Sequence, residues 1–204
     1  MPDHDWDHVV GTEPHTAAEL TAQGRACNAR KDYDAAVRAL DSAIGLEPGL
    51  AAAFNARGFA YNGKKQYDRA IQDLDEAIRL DPLLADGFNN RGYAYNGKQD
   101  FDRAIRDLSH AISLDPGFAD AFNGRGFAYI GKARYDRAIR DLDEAIRLNP
   151  GFASAFNNRG AACIGMRDYE RAIRDLDEAI RLSPGYPGAL LNRAVALRAV
   201  GREG

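Results

Sequence analysis

The stretch from residue 51 to residue 84, AAAFNARGFAYNGKKQYDRAIQDLDEAIRLDPLL, contains two helical patterns separated by a short polar turn. In the first pattern, Phe54, Gly58 and Tyr61 are spaced by four and three residues, which places them on one face of a helix. In the second, apolar side chains recur from residue 67 to residue 80 as a broad stripe. Pro82 ends this helix, because the residue before a proline disfavours helical geometry. The stretch therefore predicts a helix hairpin with its turn at residues 64–66.

The same pattern recurs along the chain with a period of 34 residues. Four sets of identical residues keep this spacing: Pro48, Pro82, Pro116, Pro150 and Pro184; Gly24, Gly58, Gly92, Gly126 and Gly160; Ala36, Ala70, Ala104, Ala138 and Ala172; and Ala43, Ala77, Ala111, Ala145 and Ala179. The glycines and the first set of alanines are expected to let the two backbones of a hairpin approach closely. A single hairpin cannot bury its apolar face alone, so successive hairpins must stack. The sequence therefore predicts an all-α repeat fold.

The repeats divide the chain into three parts. Residues 1–16 are predicted to be a flexible N-terminal tail, and residues 17–186 form five repeats (17–50, 51–84, 85–118, 119–152 and 153–186). Residues 187–204 are predicted to form a C-terminal capping helix and tail, with Pro187 in the first helical turn. Thr16 and Glu19 have the spacing of a capping box at the start of the first helix. Eleven helices are expected.

Composition narrows the class of protein. Charged residues make up 28% of the chain and hydrophobic residues 45%, which is typical of a soluble folded protein. The formal net charge of -3 argues against a nucleic-acid partner. No apolar run approaches the roughly 18 residues of a membrane span, and the acidic start is unlike a signal peptide. Cytoplasmic localisation is expected unless a leader was removed.

Residue types that carry out catalysis or bind metals are scarce in this sequence. The segment from His4 to His8, HDWDH, could bind a transition metal, but a flexible tail is the preferred interpretation. Cys27 and Cys163 fall at the repeat position of Tyr61, which predicts core thiols rather than nucleophiles. The glycines follow the helix pattern and form no phosphate-binding loop. The sequence therefore predicts a non-enzyme without cofactor or metal.

The quoted repeat resembles a known family signature. Phe54-x-x-Arg57-Gly58-x-x-Tyr61, followed by Ala70-x-x-x-Leu74 and by Pro82, is similar to the tetratricopeptide repeat, and the resemblance covers residues 17–186. One departure is the arginine before the glycine in four of the five copies, where the family has leucine. The resemblance implies a right-handed α-solenoid of stacked antiparallel hairpins. It also implies that the first helices line a concave groove that binds extended or helical peptide segments.

The arginines before the glycines recur together with aspartates sixteen residues later. They are Arg57, Arg91, Arg125 and Arg159, with Asp73, Asp107, Asp141 and Asp175. The first copy has Gln23 and Ala39 instead, so both partners are absent together. This predicts ion pairs within each hairpin and leaves Arg193 without the equivalent partner. Two alternatives are pairing with the preceding repeat, which would put Arg193 on Asp175, and a clamp for an acidic ligand.

A second set of residues lies on the first helices, away from the face of Phe54. The predicted peptide-binding groove comprises Asn55, Phe59, Asn62, Asn89, Tyr93, Asn96, Asn123, Phe127 and Asn157. A carboxamide donates and accepts hydrogen bonds and can therefore pair with any peptide unit, and aromatic rings add apolar contact area. We expect a row of amides that bind a ligand but support the core little, flanked by partly accessible aromatics. Ile130, Ala161 and Ile164 make the C-terminal copies more apolar, so the ligand's more apolar end should lie there.

The alternative interpretation of this face is structural. In it the aromatics pack on neighbouring first helices and the asparagines are solvated surface.

On the second helices, Asp143–Arg147 and Asp177–Arg181 have the offset of four typical of exposed ion pairs.

The favoured function is a non-catalytic scaffold whose partner is a protein or peptide, with neither a nucleic acid nor a membrane as partner. The other candidate is a structural protein acting through self-association or complex assembly, although the sequence does not itself indicate oligomerisation. Relatives that clamp the acidic C-terminus of chaperones carry lysine and asparagine where this chain has Thr21 and Arg25. The residue pattern of that kind of peptide clamp is therefore absent from this sequence.

Overall fold

A computed structural model describes residues 16–203 of the chain. Within that range it contains eleven α-helices and no strand, as predicted. In chain order the helices are α1 (Ala17–Ala29), α2 (Tyr33–Leu46), α3 (Ala51–Gly63), α4 (Tyr67–Leu80), α5 (Ala85–Gly97), α6 (Phe101–Leu114), α7 (Ala119–Gly131), α8 (Tyr135–Leu148), α9 (Ala153–Gly165), α10 (Tyr169–Leu182) and α11 (Pro187–Glu203). The helices fall into two compact units, which divide between Leu80 and Asp81.

The first unit contains the hairpins α1–α2 and α3–α4, and its core is made largely of small side chains around two leucines. Leu40 and Leu74 are completely buried in their hairpins. The predicted capping box at the start of α1 is confirmed. Thr16 Oγ1 accepts a hydrogen bond from the Glu19 backbone N–H (3.1 Å), and Glu19 Oε2 accepts one from the Thr16 N–H (3.1 Å).

The second unit contains the hairpins α5–α6, α7–α8 and α9–α10, followed by the single helix α11. Each hairpin again buries one leucine of its second helix completely, at Leu108, Leu142 and Leu176. Helix α11 packs on α9 and α10, where Ala189 and Ala196 are buried. The predicted capping helix therefore covers the last hairpin of this unit.

The glycine at the middle of each first helix makes room for the buried leucine of the second helix. A methyl group built on Gly58 would lie 2.6 Å from Leu74 Cγ, and one built on Gly126 would lie 2.7 Å from Leu142 Cγ. Both distances are far shorter than a normal carbon–carbon contact. The sequence predicted a close approach of two backbones at this glycine. The structure adds that a leucine side chain fills most of the space.

Each hairpin closes through one left-handed residue in its turn. These residues are Lys31, Lys65, Gln99, Ala133 and Arg167, with φ between 54° and 64°. In three hairpins an aspartate then caps the second helix, as when Asp32 Oδ1 accepts a hydrogen bond from the Ala35 backbone N–H (3.1 Å). The turns thus lie within the predicted polar segments and tolerate several residue types.

The first helices form the inner layer of each unit. In the first unit α1 contacts α3, and in the second unit α5, α7, α9 and α11 contact one another in order. Within the described part of each unit, the second helices make no comparable contacts with one another. Because neighbouring first helices lie closer together than neighbouring second helices, each unit curves towards its first helices.

Candidate functional site

The predicted aromatic side chains lie on the inner layer and are partly accessible. In the second unit Phe127 is 44% exposed and Tyr93 is half-buried, while in the first unit Phe59 is 43% exposed. Val195 of α11 occupies the same repeat position and is 47% exposed. The prediction of partly accessible aromatics is therefore confirmed for these positions.

The predicted amide row is buried, which corrects one part of the sequence interpretation. Asn55, Asn89, Asn96, Asn123 and Asn157 are each at most 7% exposed, and only Asn62 is half-buried. Side chains so enclosed contribute to packing between first helices. The expectation that these amides support the core little is therefore wrong for those that pair across a helix interface.

Two of these amides accept hydrogen bonds from the next first helix of the second unit. Asn158 Nδ2 donates to Asn123 Oδ1 (2.9 Å), and Asn192 Nδ2 donates to Asn157 Oδ1 (2.9 Å). Asn96 acts differently, because its Nδ2 donates to the backbone carbonyl of Gly124 (2.9 Å). Buried polar groups of this kind hold the stacked helices in register.

An aromatic hydroxyl extends this network towards the surface of the second unit. The Tyr93 hydroxyl donates to the Asp120 carbonyl oxygen (3.3 Å) and accepts from Asn123 Nδ2 (3.4 Å). Burial raises the pKa of Tyr93 to about 12, so the hydroxyl keeps its proton at neutral pH. Tyr93 is thus fixed between α5 and α7 with part of its ring accessible.

Gly124 interrupts the ladder of paired amides in the second unit. It occupies the repeat position of Asn158 and Asn192, which donate to Asn123 and Asn157. Within the described chain, the buried Oδ1 of Asn89 has no hydrogen-bond partner. An unsatisfied buried acceptor lowers stability, so a donor at position 124 is expected to strengthen this interface.

We expect Gly124→Asn to be more stable than Gly124→Ala by about 0.5–1.5 kcal/mol, because only asparagine can donate to Asn89. The alanine variant is the control for the added Cβ, which would lie 3.2 Å from both Leu108 and Tyr93 side chains. Urea unfolding of the two variants measures the difference. Equal stabilities would show that Asn89 gains nothing from a donor at this position.

The predicted arginine–aspartate pairs are confirmed within all four hairpins. Each guanidinium donates through Nε and Nη2 to both carboxylate oxygens, at 2.6–2.9 Å, in the pairs Arg57–Asp73, Arg91–Asp107, Arg125–Asp141 and Arg159–Asp175. The aspartates are buried, and each arginine also stacks on the phenylalanine three residues before it. The hydrogen bond to Asp73 raises the pKa of Arg57. These cations are neutralised internally and form no clamp for an acidic ligand.

Arg57 and Arg159 also make a second contact, to the preceding hairpin, that was not predicted from the sequence. Arg57 Nη1 donates to Asp41 (2.6 Å) in the first unit, and Arg159 Nη1 donates to Asp143 (2.6 Å) in the second. Arg193 bonds Asp177 rather than Asp175. The predicted surface pairs Asp143–Arg147 and Asp177–Arg181 are wrong, because these aspartates bind the next first helix. Arg147 and Arg181 instead pair with Glu144 and Glu178.

Reactive chemistry has little support in the residues that the structure describes. Among them, no group of three or more metal-ligating side chains could hold an ion, and the segment His4–His8 lies outside the described range. Cys27 and Cys163 are buried free thiols, as predicted, and burial raises the pKa of Cys163 to about 11. Across residues 16–203, no helix combines the length and the apolar character needed to span a membrane.

Comparison with solved structures finds the same fold at low sequence identity. A thermophilic TPR protein of Thermus thermophilus is 19% identical, with 89% of this chain and 99% of that chain covered and a TM-score of 0.76. MamA of Desulfovibrio magneticus RS-1 is 19% identical (85% and 98% covered, TM-score 0.68). YrrB, described as a TPR protein with an unusual peptide-binding site, is 23% identical (87% and 92% covered, TM-score 0.64). No curated protein matches this sequence.

Matches to protein-family models identify the family more specifically than the structural similarities do. Models described as tetratricopeptide repeat match residues 51–82 and 85–118, and a third matches two overlapping stretches, 128–187 and 162–203. Together these matches cover well over half of the chain. The period of 34 residues, the paired helices and these matches agree, and the chain belongs to the tetratricopeptide repeat family.

Proposed function

We propose that this protein is a non-catalytic scaffold that binds a segment of another polypeptide on the inner layer of its first helices. The observation that carries the proposal is the column of partly exposed apolar side chains at one repeat position of the second unit. This column consists of Tyr93, Phe127, Ala161 and Val195. Large apolar side chains left accessible on a concave face favour the binding of a partner over solvation.

The burial of the amides changes the role proposed for them. Aromatic side chains contact the partner, whereas Asn123 and Asn157 hold the first helices in fixed positions beneath it. In the first unit the corresponding pair is Phe59, which is accessible, and Asn55, which is buried. A rigid layer that presents aromatic rings loses little conformational entropy when it binds.

The inner layer of the second unit becomes more apolar towards its C-terminal end. Asn96 is followed at the same repeat position by Ile130 and Ile164, and Leu191 of α11 is 66% exposed where preceding copies have asparagine. The partner segment therefore lies with its more apolar end next to α9 and α11. Because the nearby arginines are paired internally, recognition relies on apolar contact and responds weakly to salt.

Family membership and the described peptide-binding site of YrrB support a polypeptide ligand rather than a small molecule. Self-association, the alternative function, would place a second copy on the same layer. The experiment that tests the proposal must therefore distinguish a foreign partner from another copy of the chain.

A photo-crosslinking amino acid at position 127 is expected to capture a partner from an extract of the source cells. The control carries the same group at Arg140, which is exposed on the second helix α8. Phe127→Ala should then weaken binding of the captured partner by about 1–2 kcal/mol. It should lower the melting temperature only modestly, since Phe127 is 44% exposed and its ring meets that of Phe101 edge-on, with centroids 6.4 Å apart. Equal capture at positions 127 and 140, or capture of the chain itself, would contradict the proposal.

A further inference from the structure

Helix α11 is the first helix of a sixth repeat in both sequence and position. Leu190, Arg193, Ala194 and Leu197 occupy the repeat positions of Phe156, Arg159, Gly160 and Cys163 in α9. One side of α11 packs on α9 and α10 through the buried residues Ala189 and Ala196. Its opposite side carries the residues that would contact a second helix of its own hairpin.

That outer face is apolar and uncovered in the described part of the chain. Leu190 is 47% exposed, Leu197 is 43% exposed, and Ala194 between them is also exposed. In α9, by contrast, Phe156 is half-buried, and Gly160 and Cys163 are buried against α10. Helix α11 thus presents the surface that is covered by a second helix in all five hairpins.

The charge on this face points to the same kind of helix. In the four hairpins with the arginine–aspartate pair, the arginine donates through Nε and Nη2 to an aspartate of its own second helix. Arg193 instead uses its Nε to bind Asp177 of the preceding hairpin, and its side chain is 40% exposed. A helix covering α11 could therefore place a carboxylate beside Arg193, as Asp175 lies beside Arg159.

We propose that the outer face of α11 binds an amphipathic helix of another polypeptide, with the pattern of this protein's own second helices. Such a helix has a small residue at i, an aspartate at i+3, an apolar residue at i+4 and a small residue at i+7, as in Ala172, Asp175, Leu176 and Ala179. The face is continuous with α10, which already covers α9 in the same way. This site goes beyond the proposed function, because it lies on the outer face of α11 and not on the inner layer.

Ala194 sets the size of the apolar residue in the partner. In every complete hairpin the equivalent position is glycine, and a Cβ there would lie 2.5–2.7 Å from the Cγ of the facing leucine. Ala194 carries that Cβ, so a leucine could not approach as it does elsewhere in the protein. The partner helix therefore has a smaller residue, such as alanine, at this position.

Two labelled peptides test the proposal on the full chain. The first has the sequence of residues 168–183, DYERAIRDLDEAIRLS, which includes the capping residue Asp168. The second replaces the leucine corresponding to Leu176 by alanine. Fluorescence anisotropy should show the alanine peptide binding at least about fivefold more tightly than the leucine peptide, because overpacking by one side chain costs at least that much.

The variant Ala194→Gly should reverse this preference, because it restores the space for leucine. Arg193→Gln should weaken binding of the alanine peptide by about fivefold, the effect of losing one partly exposed ion pair. Phe127→Ala, which probes the inner layer, should leave both peptides unaffected, so failure of this site and failure of the proposed function are distinguishable. Circular dichroism verifies that each variant is folded.

Two outcomes would overturn the proposal. One is the absence of saturable binding of either peptide to both the parent chain and Ala194→Gly. The other is sedimentation equilibrium showing a dimer that Leu190→Glu dissociates, since a second copy would then occupy this face. If Ala194→Gly is unfolded, the comparison of the two peptides on the parent chain decides alone.

Discussion

Replacing Leu142 by alanine is expected to lower the free energy of unfolding by about 2–5 kcal/mol, the range for a large-to-small change in a packed core. Leu142 is completely buried between α7 and α8, against the backbone of Gly126. Glycine offers no side chain that could move into the space, so the cavity would persist. The control is Leu83→Ala, where the leucine is 74% exposed and the change should stay within about 0.5 kcal/mol.

Substitution of the facing glycine, Gly126, should change stability in opposite directions with and without Leu142, which identifies the packing of these two residues as the cause. Gly126→Ala alone should destabilise the protein by about 1–3 kcal/mol, because its Cβ would lie 2.7 Å from Leu142 Cγ. In the Leu142→Ala background the same substitution should stabilise, since it fills the cavity and favours the helix by about 1 kcal/mol. Urea unfolding of the four proteins measures both steps. Destabilisation by Gly126→Ala in both backgrounds would show that the contact with Leu142 is not the reason why this substitution destabilises the protein.

Much of the fold could be predicted from the sequence because it repeats. Gly58 and Ala70 each recur in five copies at a period of 34 residues, and a pattern of that length specifies a helix pair that must stack. The helices begin and end within a residue or two of the predicted turns, since Pro82 and its equivalents follow each second helix closely. What the pattern could not reveal was which side chain fills the space at the glycine.

The candidate site was only partly predictable. The accessible positions of Phe59 and Phe127 follow from helical spacing, but the burial of Asn123 and Asn157 depends on the distance between first helices. Helical periodicity assigns a residue to a face without stating how closely the next helix approaches. The donors Asn158 and Asn192, at offset 35, were the available signal, because amides recurring one repeat and one residue later can pair across the interface.

The ion pairs illustrate the same limit. The joint absence of both partners in the first copy, at Gln23 and Ala39, indicated that Arg57 pairs with Asp73 inside its own hairpin. The second contact of Arg57 to Asp41 also had a signal, because aspartates recur sixteen residues before four of the arginines, at Asp41, Asp75, Asp143 and Asp177. The offset of four along one helix favoured surface pairs instead. An arginine with five donors can serve two hairpins at once, which a search for single partners misses.

Removing one member of a buried pair should have the second large effect. Asp141→Ala is expected to cost about 2–4 kcal/mol, because it leaves the largely buried guanidinium of Arg125 without its bidentate partner. Arg125→Gln should cost a similar amount by leaving the Asp141 carboxylate buried and unpaired. Within the described residues Arg125 would retain Ser109, whose hydroxyl is a weaker acceptor than a carboxylate.

The double variant Arg125→Gln/Asp141→Ala copies the first hairpin, which has Gln23 and Ala39 at these positions and still folds into the same helix pair. It should therefore be more stable than either single variant, with a coupling energy of about 1–3 kcal/mol. Some loss should remain, because Arg125 also stacks on Phe122 at 5.6 Å. Since repeat proteins can unfold locally, native-state hydrogen exchange of α7 and α8 is the appropriate measurement. If the costs of the two single variants simply add in the double variant, the pair is not coupled, and the recurrence of arginine with aspartate needs another cause.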